Sequence, residues 1–319
     1  MIKIYTTLGP ASLNKDFLKY ANSRYIKLLR INLSHTEIDS LDEIISFIRK
    51  YSKIPICLDT EGAQIRTSVI KDNVIFCKKN KILKIAKNTD KYLELKPIDI
   101  YKKLKVNDIL SIDFDGVKIQ VVSETKNYFN CKILEEGNIA SNKSILVNRS
   151  IKLDPFTSKD FKAFEIAKKR NIKNIALSFT SSKNDVHELR KIFKKKINIV
   201  SKIESKKGLK NLSSILDAAD QILIDRGDLS KEVPIHTIPK MQKYIIKQAL
   251  TKKTPVYVAT NLLESMVTKR EPTRAEVNDI YNTLIDGASG LVLAAETAIG
   301  KYPKECIDMI IRVSKTLES

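Results

Sequence analysis

Lysine and glutamate stand two residues apart in Ser201-Lys202-Ile203-Glu204, at the end of the apolar run INIV. In an extended strand, residues i and i+2 share a face, so Lys202 and Glu204 point one way and Ile203 the other. Two readings fit. One is a solvated edge, where such a pair is worth little; the other is a buried pair at the mouth of a barrel, where charges persist only with a partner or a ligand. Other short apolar runs end in comparable groups: Arg30, Asn32 and Ser34; Asp59, Thr60 and Arg66; Arg226, Gly227 and Asp228; Thr260; Glu296 and Thr297. Glu204 and Asp228 suit Mg²⁺, a hard ion that takes one or two carboxylates and leaves positions for water and substrate phosphate. Lys202 and Arg30 suit the neutralisation of a phosphoryl group in transit. By position alone, these residues describe a metal-assisted phosphoryl-transfer site.

Groups so far apart in sequence need a scaffold that gathers strand ends. Short runs rich in β-branched residues recur at 3–8, 25–33, 55–60, 174–179, 197–204, 221–227, 255–260 and 290–296, most of them separated by helical patterns such as SLDEIISFIRKY and SKDFKAFEIAKKR. About eight strand-then-helix units is the number a TIM (β/α)8 barrel needs, and chemistry in that fold sits at the carboxyl ends of the strands. The theme breaks after the third strand. There, NVIFCKK (73–79), DILSIDFDGVKIQVVS (108–123), YFNCKIL (128–134) and SILVNRSI (144–151) alternate with period two. We therefore expect an α/β barrel from 1–67 and 151–319, with a small β-rich lid domain inserted at 68–150. A doubly wound open sheet is the alternative architecture, and the insert and the strand count favour the barrel.

Composition narrows the function classes. At 319 residues with 43% hydrophobic and 29% charged residues, the chain reads as globular. No segment is apolar enough to span a bilayer, and MIKIYTTLGPAS lacks the pattern of a signal peptide, which points to the cytoplasm and away from a membrane partner. Cys57, Cys77, Cys131 and Cys306 have no CxxC spacing, which argues against a zinc site or a disulfide framework. The net charge of +20 raises the question of nucleic acid. The excess is mostly Lys, spread through helices and lacking interleaved aromatics, so a nucleic-acid partner is not expected and anionic small molecules are.

The segments TTLGPAS, LLRINLSHT, LDTEGAQIRT, ALSFTSSKNDV, IVSKIES, ILIDRGDLS, VATNLLESM, REPTRAEVND and LAAETAIGKYP resemble, in order and spacing, the signature segments of the pyruvate kinases. The resemblance runs from the first barrel strand to the last barrel helix and is weakest in the insert. It implies phosphoryl transfer from phosphoenolpyruvate to ADP, giving pyruvate and ATP, with Mg²⁺ (or Mn²⁺) and K⁺ as cofactors. Carried over residue by residue, Glu204 and Asp228 are similar to the divalent-metal ligands, and Lys202 to the residue that stabilises the transferring phosphoryl. Arg30 resembles the arginine that grips the phosphate. Asn32, Ser34, Asp59 and Thr60 match the monovalent-cation site. Thr260, with the backbone of Gly227 and Asp228, resembles the carboxylate pocket and the network that protonates the enolate. Arg66, His35 and Lys143 resemble nucleotide contacts, and a homo-oligomer through the barrel faces is compatible with the family.

Several positions depart from the family pattern. Its Asp-Thr-Lys-Gly-Pro-Glu appears here as Asp59-Thr60-Glu61-Gly62-Ala63-Gln64, so Glu61 adds negative charge beside the monovalent site. An arginine usual after ALSF is Ser181, the lysine often found after Glu-Thr-Ala is Ile299, and SILVNRS replaces the usual return from the lid. These changes touch the nucleotide and cation sides more than the phosphoryl centre. The C-terminal effector domain common in the family is expected to be absent. Two other readings stay open: a diverged enzyme that keeps the enolate machinery but uses another acceptor or enolate reaction, and a non-catalytic protein that kept the fold.

Overall fold

The computed structural model describes residues 2–317 other than 72–73, 90 and 114–115. Of the alternating stretches, Asn73, Phe114 and Asp115 lie outside the described residues. The chain forms two compact units, Met1–Gly62 with Pro155–Ser319, and Ala63–Asp154.

In the first unit, eight strands close a parallel barrel among the described residues: β1 (Lys3–Leu8), β2 (Ile26–Asn32), β3 (Ile56–Asp59), β4 (Asn174–Leu177), β5 (Asn198–Ile203), β6 (Gln221–Asp225), β7 (Val256–Ala259) and β8 (Gly290–Leu293). Their order around the barrel is sequential, with β1 pairing β8 through Lys3↔Gly290 and β2 through Thr7↔Arg30. The strands are nearly continuous apolar runs because both faces are buried. Outward residues such as Ile4, Leu29, Leu58, Ile199 and Ile224 pack with Phe17, Ile45 and Phe164 of the surrounding helices. Each such side chain contributes about 1.5–3 kcal/mol by leaving water.

Inward residues form a separate apolar floor of Tyr5, Leu28, Cys57, Ala176, Val200, Leu223, Tyr257 and Val292, in which the rings of Tyr5 and Tyr257 stack at 4.1 Å. Gly290 leaves room for it, since a Cβ there would come within 2.9 Å of the Tyr257 ring. Helices start at sequence-local caps. Asn14 accepts from the Phe17 amide, and capping boxes at Thr157/Asp160 and Thr273/Glu276 open two more.

The second unit holds a seven-stranded antiparallel sheet and a separate two-stranded one, Val74–Cys77 with Gly137–Ala140. Leu110, Ile119, Val121, Cys131 and Ile133 lie in its own core. Strand Ile65–Thr67, placed by its sequence with the barrel, pairs with Ser144–Val147 and Leu95–Lys96 of this unit. The physical boundary therefore lies at 62/63 rather than 67/68, and the return at 154/155 rather than 150/151. No helix among the described residues is long and apolar enough to cross a membrane.

Candidate active site at the barrel mouth

On six of the eight strands, moving two residues from the apolar floor towards the carboxyl end changes the chemistry completely. Tyr5 gives way to Thr7, Leu28 to Arg30, Cys57 to Asp59, Ala176 to Ser178, Val200 to Lys202 and Leu223 to Asp225. The strand period of two puts all six on the inner face, and all six are buried. The solvated-edge reading of Lys202 and Glu204 is thereby overturned: Lys202 is 5% exposed and Glu204 fully buried.

Lys202 is the hub of this layer. Its Nζ lies 2.9 Å from Glu204 Oε1, 3.3 Å from Asp59 and 3.5 Å from Asp225 Oδ2, and it donates to Ser178 Oγ at 3.2 Å. Arg30 donates to Asp59 Oδ2 at 3.0 Å and, through Nε, to Thr7 Oγ1 at 2.8 Å. Burial alone would favour the neutral amine of Lys202. Asp59, Glu204 and Asp225 outweigh it, against opposition from Arg30, and hold the ammonium above its ordinary pKa.

Glu204 has the opposite problem. Burial pushes its carboxyl up to about 8; Lys202 works against the rise, and Asp225 and Asp228 add to it. Its Oε2 accepts from the Phe179 amide at 2.6 Å, while Oε1 is buried and accepts no hydrogen bond, the Lys202 contact lying off the hydrogen-bonding direction. Oxygens of Glu204, Asp225 and Asp228 lie within 4.8 Å of one another. A buried carboxylate oxygen that accepts no hydrogen bond, in a cluster of three carboxyls, fits a hard divalent cation.

Thr260 follows β7 with φ of 76°, a strained conformation for a β-branched residue. It is clamped from several sides. Its hydroxyl donates to Asp225 Oδ1 at 2.7 Å and accepts from the Gly227 amide at 3.2 Å, and Arg226 donates twice to its carbonyl. Asp228 faces Lys231 at 2.7 Å.

Of the residues matched to a monovalent site, Asn32 and Asp59 are register partners on β2 and β3. Asn32 Oδ1 accepts from the Ser34 amide, and Thr60 Oγ1 from the Ser178 amide. The expectation that Glu61 leaves uncompensated negative charge here is corrected. Thr157 Oγ1 donates to it at 2.9 Å and Lys159 Nζ at 3.3 Å, so a cation 98 positions away in sequence neutralises it. His35 is exposed on the turn after β2. Arg66 and Lys143 belong to the inserted unit, where Arg66 donates to the Asn142 carbonyl and Lys143 pairs with Asp113.

Asp225, Ser178 and Thr7 are missing from the residues singled out in the sequence. The signal was present: each stands two positions after an inward apolar residue, as Arg30 and Lys202 do. The PTRAE segment, in contrast, proves to be local architecture. Glu276 closes a capping box with Thr273 and also accepts from the Ser265 amide and hydroxyl. Burial opposes its charge, but the hydrogen bonds from Ser265 and Thr273 win and lower its pKa. A carboxyl depressed on folding stabilises above its unfolded pKa of about 4.3 and loses that contribution as pH falls through the folded value. Glu276→Gln should therefore cost about 1 kcal/mol at pH 7, partly screened by solvent, with the gap to wild type closing in urea melts as pH falls through the folded value. A gap independent of pH would contradict this.

Comparisons with known proteins agree with this geometry. The family described as pyruvate kinase, barrel domain, matches residues 1–307. The chain is 32% identical to a pyruvate kinase of Thermococcus litoralis over 99% of its own length and 69% of the relative's. It is 32% identical to a pyruvate kinase of Staphylococcus epidermidis, covering 57% of it, and 31% identical to plastidial pyruvate kinase 3 of Arabidopsis thaliana, covering 58%, each over 99% of this chain. The chain thus spans little more than half the length of the latter two.

Proposed function

The chain belongs to the pyruvate kinase family, and on that premise we propose that it transfers the phosphoryl group of phosphoenolpyruvate to ADP, giving pyruvate and ATP. The observation that carries the reading is the buried Lys202 ammonium, set among Asp59, Glu204 and Asp225 beside Arg30. The bond between phosphorus and the enol oxygen breaks as an acceptor oxygen bonds phosphorus, and the electron pair left behind forms the enolate, which a proton at C3 converts to pyruvate. Arg30, oriented by Asp59 and Thr7, grips the phosphate. Lys202 neutralises the charge that develops on the phosphoryl in transit. Thr260, with the backbone of Gly227 and Asp228, receives the substrate carboxylate and belongs to the network that delivers the C3 proton. Glu204 and Asp228 would hold the divalent ion, Mg²⁺ or Mn²⁺, which when bound supplies Lewis-acid polarisation of the phosphoryl and enolate oxygens. Arg66, His35 and Lys143 are assigned to the nucleotide by the same kinship.

A second reading, the same enolate chemistry with another acceptor, is favoured by Ser181. It donates to Asp185 from both its amide and its hydroxyl and offers no cation where the family usually has arginine. Pyruvate release from phosphoenolpyruvate with Mg²⁺, K⁺ and a panel of acceptors separates the two. ADP should be the best acceptor. Release only with a different acceptor selects the second reading, and none with any contradicts both.

Asn32, Ser34, Asp59 and Thr60 are assigned to K⁺. Replacing K⁺ by tetramethylammonium at constant ionic strength should lower turnover by about tenfold or more, since the bulky ion presents only methyl groups and cannot be coordinated by these oxygens in place of a hard ion. Asp59→Ala should not respond to added K⁺. Equal turnover in both salts would put an internal cation in the role of the ion, with Lys159 beside Glu61 the first to test.

A further inference from the structure

Asp225 has no role in the reaction as assigned above, yet it closes β6 on the inner face of the barrel, buried beside the proposed metal ligands. We propose that Asp225 is a third anionic ligand of the divalent cation, so that the centre is Glu204, Asp225 and Asp228 and loads its cation before any phosphate-bearing substrate arrives. The inference rests on reading the barrel mouth as a divalent-cation site.

Geometry is the first support. With metal–oxygen bonds of about 2.1 Å, oxygens around one octahedral ion stand about 3 Å apart when adjacent and about 4 Å apart when opposite. The three carboxylates already have oxygens within 4.8 Å of one another, so only a small inward movement brings them to one ion. Asp225 Oδ1 accepts from Thr260 at 2.7 Å and its carboxyl also meets the Asp228 amide, while Oδ2, at 3.5 Å from Lys202, is beyond a good hydrogen bond to that ammonium. Glu204 Oε1 is the second support: fully buried, it accepts no hydrogen bond and meets the Lys202 ammonium at 2.9 Å only as an ion pair.

Charge balance gives the functional consequence. With every carboxyl ionised, as a bound dication would hold them, Arg30, Lys202 and Lys231 face Asp59, Glu204, Asp225 and Asp228, three cations against four carboxylates. Without Asp225 the count would be even, and a free cation would gain little from entering. The extra carboxylate supplies the net negative charge that draws in a dication on its own. Once loaded, the mouth is positive and ready for an anionic substrate.

Mn²⁺ is the probe, titrated into the full chain without substrate and followed by electron paramagnetic resonance of the free ion. Wild type should bind one Mn²⁺. Asp225→Asn and Asp225→Ala should each weaken binding by about tenfold or more, with a matching loss of the Mn²⁺-induced rise in melting temperature. Asn is the decisive variant, because its amide oxygen still accepts from Thr260; a residue that only positioned Thr260 would leave Asn with wild-type affinity. Lys202 and the Thr260 hydroxyl favour the Asp225 carboxylate, so both variants should melt somewhat lower than wild type without metal, and binding is read below their melting temperatures. Wild-type affinity in Asp225→Asn, or no binding by wild type until phosphoenolpyruvate is added, overturns the proposal. A chain that binds Mn²⁺ through Asp225 but never releases pyruvate would sink the phosphoryl-transfer reading and leave this one standing.

Discussion

Lys202→Met should lower phosphoryl transfer from phosphoenolpyruvate by about a thousandfold or more, the scale on which a single charge aimed at a transferring phosphoryl acts. Solvent exchange of the methyl protons of pyruvate should persist, because it draws on the cation site and the Thr260 network and moves no phosphoryl group. The variant also leaves Asp59, Glu204 and Asp225 without their shared ammonium, and stranding buried charge costs about 3–5 kcal/mol. Both reactions therefore need to be followed at saturating Mg²⁺ and below the variant's melting temperature. Loss of transfer together with loss of exchange, at unchanged Mg²⁺ affinity, would contradict the division of labour between Lys202 and the rest of the mouth.

Glu204→Gln should weaken divalent-cation affinity on the order of a hundredfold and collapse turnover at low Mg²⁺, with partial recovery as Mg²⁺ is raised. The amide oxygen can still accept from Phe179, and the substitution removes a charge that Asp225 and Asp228 already oppose. The metal-free fold should thus be kept, and the loss is attributable to the site. A Mg²⁺ dependence identical to that of wild type would remove Glu204 from the metal centre.

The positions of the barrel strands were legible because each is a run of β-branched residues with both faces buried, and a run of that kind has few other uses in a chain that alternates with helices. The polar ends of those strands were legible as a convergent rim for the same reason. Asp225 was passed over because Arg226, Gly227 and Asp228 follow it and draw attention past the strand's last inward position, although Leu223 two residues earlier marks the face. The neutralisation of Glu61 by Lys159 could not be read at all: nothing local in either segment says that the start of the helix Ser158–Lys169 lies against the end of β3. The role of Glu276 was written locally as Thr-x-x-Glu, a capping box, and needed no tertiary knowledge beyond its second bond to Ser265. Strand Ile65–Thr67 was assigned to the wrong unit because a three-residue strand carries too little pattern to show which sheet it joins.

Phosphoryl transfer to ADP can be followed by ³¹P nuclear magnetic resonance of the purified chain with phosphoenolpyruvate, ADP, Mg²⁺ and K⁺. The phosphoenolpyruvate signal should be replaced, one for one, by the γ-phosphoryl signal of ATP while pyruvate accumulates. Replacement by inorganic phosphate alone, or a phosphoenolpyruvate signal that never declines although Mn²⁺ binds at the mouth, would contradict transfer to ADP.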